Sequence, residues 1–144
     1  MATGAVLDEG MVYFDARLSA SYPTVEVRVA DVAQDVRNSV LLAGVSRALV
    51  DTAAAEWRDG RPAPDVPAAV LRGATWRASR HGLGEDLVHP VTGELAPAAR
   101  VVQDLVEHVT RSLTDNGDLA QVADAAERLL AEGNGAEQQR RVYE

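Results

Sequence analysis

Apolar and polar residues alternate twice near the start of the chain. In 11-MVYFDARL-18, Val12, Phe14 and Ala16 fall on one face and Tyr13, Asp15 and Arg17 on the other. After the loop 19-SASYP-23, the segment 24-TVEVRVADV-32 repeats the alternation, with Val25, Val27 and Val29 together. A period of two marks half-buried strands. Pro23 stands at the second strand's entrance, where a missing N–H is tolerated. The two segments predict an antiparallel hairpin. Residues 1–10 show no clear period and read as a lead-in.

Farther along, the period changes to that of a helix. Val36, Val40, Leu41, Val45, Ala48 and Leu49 predict a helix over about 36–56, N-capped by Asp35. Its apolar stripe is wide, which suits a central position. Gly44 weakens such a helix by about 1 kcal/mol relative to Ala unless close packing needs the space. The polar loop 58-RDGRPAPDVP-67 precedes a second predicted helix, 67–81, stopped near Gly82 and Gly84. The segment 87-LVHPVTGEL-95 predicts a small hairpin. Pro97 opens a third helix to Leu113, carried by Val101, Val102, Leu105, Val106, Val109 and Leu113. The turn 115-DNGD-118 then offers Asp118 as cap of a fourth helix, with Leu119, Val122, Ala126, Leu129 and Leu130 as its stripe. Residues 136–144 make a last short helix.

The expected fold class is α+β, an antiparallel sheet fragment packed by four to five helices. Trp57 and Trp76 are expected as core or interface anchors. A lone hairpin is marginal in water and its edges need partners. The sheet is therefore expected to be completed by another chain or by an N-terminal part.

Composition narrows the chemistry. The length of 144 residues suits a single domain. The net charge of −8 argues against nucleic-acid and anionic-membrane partners. No apolar run approaches the ~20 residues that span a bilayer. The first residues lack an export signal, so cytoplasm is the expected compartment. There is no cysteine, which removes disulfides, thiolate metal sites and cysteine nucleophiles. All 14 basic residues are arginine, which removes lysine Schiff-base and P-loop chemistry. His81, His89 and His108 are scattered without zinc-site spacing. The serines lack a nucleophile elbow.

What remains is a charged pair inside a strand. Glu26 and Arg28 stand at i and i+2, on one face and roughly 7 Å apart by the rise per residue. A carboxylate suits Mg²⁺, and a guanidinium grips phosphoryl or carboxylate oxygens. Asp15 and Arg17 form a similar pair on the preceding strand. On pattern alone, a solvated surface ion pair is the commoner meaning of such a triplet. Arg77 and Arg80, at i and i+3 of the second helix, could clamp an anion or simply face water.

Three segments in order resemble one family. The stretch 13-YFDARLSASYPTVEVRVAD-31 resembles the C-terminal signature of the glutamate–cysteine ligase type 2 family, the carboxylate–amine ligases. That signature is an aromatic residue, D-x-R, a short loop, then T-(aliphatic)-E-(aliphatic)-R and a closing Asp. Tyr13, Asp15, Arg17, Thr24, Glu26, Arg28 and Asp31 occupy it. The stretch 76-WRASRHGLGEDLVHPVTGE-94 resembles the family's W-x-A-x-R-x-G-L segment, and 133-GNGAEQQR-140 resembles a Gly-then-Gln-Arg pattern near its end. The resemblance implies a glutamine-synthetase-like sheet and ATP-dependent joining of the glutamate γ-carboxyl to an amine, in the family that of cysteine. It implies ATP and Mg²⁺ as cofactors and Glu26 as a metal ligand. Arg28 would contact the transferred phosphoryl group or substrate. Asp15 and Arg17 would lie near the substrate end, and Arg80 would be the anion-binding member of its helix pair.

The family's polypeptide is longer, with further acidic metal ligands upstream, and residues 1–12 match none of them. The chain is therefore expected to be the C-terminal portion of a catalytic domain, inactive until joined by an N-terminal half or assembled as a homo-oligomer. The rival expectation is a non-catalytic helical scaffold that uses the stripes of the third and fourth helices.

Overall fold

The computed structural model describes residues 15–143. The fold is α+β, with six helices and two small antiparallel two-stranded sheets among those residues. The chain divides into two units, with the division between Ala33 and Gln34.

The first unit holds the hairpin. β1 (Ala16–Leu18) pairs with β2 (Val25–Val27), placing Ala16 opposite Val27, Arg17 opposite Glu26 and Leu18 opposite Val25. Two backbone bonds extend the ladder. The Arg28 amide donates to the Asp15 carbonyl at 2.8 Å, and the Ser19 amide to the Thr24 carbonyl at 2.9 Å. The Ser19 hydroxyl closes the loop by accepting from the amides of Ser21 and Tyr22, each at 3.2 Å. That local bonding is why a serine starts the turn.

The second strand is shorter than the alternation predicts. Residues 1–14, with the predicted lead-in, the first half of the first strand and the motif's Tyr13, lie outside the described residues. At the other end, the ladder stops at Arg28. The Asp31 carboxylate accepts from the Val32 amide at 2.7 Å, a local bond that competes with strand pairing. The valine face is exposed: Val25, Val27 and Val29 show 38%, 42% and 62% of their surface.

The second unit is helical. α1 (Val36–Arg58) starts as predicted, with the Asp35 carboxylate accepting from the Arg37 amide at 2.8 Å. α2 (Ala68–His81) ends at Gly82, whose φ of +59° an L side chain rarely adopts. β3 (Leu87–Val88) and β4 (Leu95–Ala96) form the small hairpin. His89 Nδ1 braces its turn by accepting from the amides of Val91 and Thr92, both at 3.3 Å.

The predicted third helix is two helices, α3 (Ala98–His108) and α4 (Thr110–Asn116), broken at the fully buried Val109. The Thr110 hydroxyl donates to the Val106 carbonyl at 2.9 Å, and such back-bonding bends helices. α4 also runs past the predicted stop at Leu113, to Gly117 in the left-handed region. α5 (Leu119–Glu132) follows with Asp118 at its N-cap position, as predicted, but the Asp118 carboxylate makes no cap bond and pairs instead with Arg47 of α1.

α6 (Gly135–Tyr143) begins with a reciprocal cap. The Asn134 amide donates to Glu137 Oε2 at 2.7 Å, and the Glu137 amide donates to Asn134 Oδ1 at 3.0 Å. A Cβ on Gly82 would collide with the Asn134 side chain.

The core lies where α1, α4 and α5 meet. Leu41 and Ala48 of α1, Val109 at the break, Leu113 of α4, and Val122 and Ala126 of α5 are its buried residues. Gly44 supplies the space anticipated for it, since a Cβ there would stand 2.8 Å from a Val122 methyl. The Thr52 and Ser112 hydroxyls bond across α1 and α4 at 2.8 Å, satisfying the buried serine.

The predicted stripe of α1 is wider than its buried face: Val36, Val40 and Leu49 are exposed. Neither tryptophan is core, with Trp57 79% and Trp76 62% exposed. Among the described residues no helix is long and apolar enough to cross a membrane.

Candidate functional site

Antiparallel register assembles the charged cluster. Because Arg17 faces Glu26 across the ladder and Arg28 follows two residues along, Arg17, Glu26 and Arg28 share the face opposite the valines. Arg17 Nε donates to Glu26 Oε2 at 2.7 Å, and Arg28 Nε stands 3.4 Å from Glu26 Oε1. The cross-strand arginine, not the i+2 arginine, is thus the closer partner. The hydrogen bond from Arg17 holds the Glu26 carboxyl below its usual range; desolvation opposes it, and the charges of Arg17 and Arg28 add to the lowering. Glu26 is therefore ionised throughout the neutral range.

The structure brings three of the predicted residues together through their side chains and a fourth, Asp15, through its carbonyl bond to Arg28. Arg80 belongs to the helical unit. Its guanidinium lies 5.9 Å from the Trp76 ring centroid, a cation–π arrangement. Arg77, its neighbour in the predicted clamp, turns instead to the loop after α2, donating through Nε to the Asp86 carbonyl at 2.6 Å. His81 completes this group, with Nδ1 3.0 Å from Glu85 Oε1 and its ring edge-on to Trp76 at 6.3 Å. Sequence reasoning missed the Arg17–Glu26 bond and the Trp76–His81–Glu85 contacts. The first had a signal: closing the loop between Ser19 and Thr24 fixes the register that sets Arg17 against Glu26.

The fit to Mg²⁺ can be tested on this arrangement. Glu26 is ionised, and each of its oxygens has a lone pair beyond its arginine contact. Yet no group of three or more histidine, aspartate or glutamate side chains that could hold a metal ion exists among the described residues. The described residues therefore do not make a complete metal site by themselves. The two guanidiniums fit an oxyanion directly.

The described hairpin thus sets a carboxylate between two arginines, and guanidiniums are groups that can hold oxyanions. A model of glutamate-cysteine ligase family 2 matches residues 1–144, and the chain belongs to that family. A Streptomyces coelicolor protein named "Putative glutamate--cysteine ligase 2" is 54% identical over 142 residues, covering 99% of this chain and 39% of the relative. Proteins named in the same form from Frankia alni and Streptomyces avermitilis are 52% and 50% identical, over 98% and 100% of this chain and 37% and 40% of their own lengths. The chain thus spans about two fifths of the length of the curated relatives it matches. No solved structure matches it significantly.

Proposed function

We propose that this chain is part of an ATP-dependent carboxylate–amine ligase that joins the γ-carboxyl of glutamate to the amine of cysteine or a cysteine-like acceptor. A γ-carboxylate oxygen attacks the terminal phosphorus of ATP, and ADP leaves. The amine nitrogen then attacks the acyl carbon, the bond to phosphate breaks, inorganic phosphate leaves, and the nitrogen gives up a proton as the amide forms. Charge accumulates on phosphoryl oxygens in the first step and on the acyl oxygen in the second. Fixed cationic donors stabilise both.

In this reading Arg28 meets the transferred phosphoryl group and Arg17 supports it from the facing strand. Asp15 and Arg80 bind substrate or phosphate groups. Glu26 supplies one ligand to Mg²⁺, which would screen the phosphate charge, and the remaining ligands come from sequence outside this chain. The proposed partners are glutamate, an amine acceptor and the rest of the ligase or further copies of the chain. Nucleic acid and membrane are not among them, and the proposed compartment is the cytoplasm.

The observation that carries the proposal is the convergence of Arg17 and Arg28 on Glu26, within a chain of this family. The test is reconstitution. The chain is mixed with a fragment of the Streptomyces coelicolor relative lacking the matched region, and ADP release dependent on both glutamate and amine is measured. Activity in the mixture, reduced about 10²–10³-fold by Arg28→Gln, is expected, as for loss of one oxyanion donor. Full activity in Arg28→Gln would overturn the assignment.

A further inference from the structure

We infer that Glu26 is the resident occupant of an oxyanion site formed by Arg17 and Arg28, and that an incoming phosphoryl or carboxylate group takes its place. The inference rests on the proposed site and adds how that site is occupied before substrate arrives.

The geometry carries it. The two guanidiniums come from different strands and address different oxygens of the same carboxylate, Oε2 at 2.7 Å and Oε1 at 3.4 Å. Guanidinium forks hold carboxylate and phosphoryl oxygens in the same way, so the pair already presents its donors around the position of an oxyanion. Exposure shows which member can leave. The Arg17 and Arg28 side chains are 27% and 29% exposed, whereas that of Glu26 is 46% exposed. The carboxylate is the most open of the three, and rotation of its side chain releases it without moving the backbone ladder. Exposed ion pairs are individually weak, so exchange for a more highly charged anion is not blocked. The chain's net charge of −8 provides no general attraction for anions, so binding would be local to this pair. Once displaced, Glu26 is available to a cation carried by the nucleotide. The same three side chains thereby change partners rather than position.

The test uses the full chain labelled throughout with ¹⁵N, arginine side chains included, and inorganic phosphate as the probe. At pH 7, phosphate is expected to shift the Nε signals of Arg17 and Arg28. Glu26→Gln, which removes the Glu26 charge while keeping the side chain's size, is expected to bind phosphate about tenfold more tightly. Arg17→Gln in that background is expected to abolish the gain. The backbone amide signals of Ser19 and Arg28, which close the two ends of the described ladder, report that the hairpin stays formed in each variant. Equal or weaker phosphate binding by Glu26→Gln, or shifts confined to other arginines, would overturn the exchange. Reconstituted activity separates this from failure of the proposed function. If Glu26→Gln destroys activity without tightening phosphate, exchange is wrong and the catalytic assignment stands. If it tightens phosphate and leaves activity intact, exchange stands and the metal role of Glu26 falls.

Discussion

The hairpin and the helical unit solve different problems. The helical unit buries Leu41, Ala48, Val109, Leu113, Val122 and Ala126 together and fits Gly44 against Val122. Its ion pairs, such as Arg47–Asp118, tie elements of that packing to one another. The hairpin buries no side chain among its described residues, and its valines are open. Its ordered feature is polar: a carboxylate between two arginines. Stability is written into one region by volume and shape. In the other, register sets a charge cluster, with Arg17 facing Glu26 across the ladder and Arg28 two residues along.

That contrast can be broken by substitution. The largest stability loss is expected from Leu113→Ala, about 2–5 kcal/mol, because the fully buried side chain leaves a cavity. Denaturant unfolding measures it, and a loss below about 1 kcal/mol would mean that the core lies elsewhere. Gly44→Ala comes next. Overpacking against Val122 costs about 1–3 kcal/mol, while the gain in helix propensity returns about 1 kcal/mol. A net loss of about 1 kcal/mol is therefore expected. Combining it with Val122→Ala should relieve the clash, giving a favourable coupling in a double-mutant cycle.

A smaller effect depends on pH. Arg37 holds Asp35 down to about 2, chiefly through its side-chain hydrogen bond and then its amide, against an ordinary value of 3.8. A depressed carboxylate contributes stability fully above its unfolded value and loses it as pH falls through the folded one. The contribution of Asp35 should thus be intact above about pH 4 and fade toward pH 2. Asp35→Asn retains a capping oxygen, so its stability difference from the native chain should shrink over that window. A difference constant from pH 5 to pH 2 would refute the charge pairing. The smallest effect is expected from Arg28→Gln, within about 0.5 kcal/mol, as for a surface position. A large loss there would make the cluster a structural brace and erase the contrast.

Helix positions were legible because their signals are local. Asp35 caps α1, Gly82 stops α2, and the period of 3.6 places α5. The break at Val109 was not legible: the stripe runs straight through it, and the bend involves a threonine hydroxyl returning to Val106. Asp118 stands at the N-cap position as expected, but the partner of its carboxylate was not legible because Arg47 lies 71 residues away in sequence. For the tryptophans, residue type offered core or interface, and their exposure removes only the core half of that expectation. In the hairpin, alternation gave the faces correctly, whereas the pairing of Glu26 with Arg17 needed the register and not the spacing alone.

The account turns on Glu26, so the deciding measurement is calorimetric. Mg·ATP is titrated into the chain alone, into the chain with the complementary fragment of the Streptomyces coelicolor relative, and into both with Glu26→Gln. The account predicts binding that appears only with the fragment and is lost in the variant. Binding by the reconstituted pair that Glu26→Gln leaves unchanged, or no binding by a pair shown to associate, would contradict it.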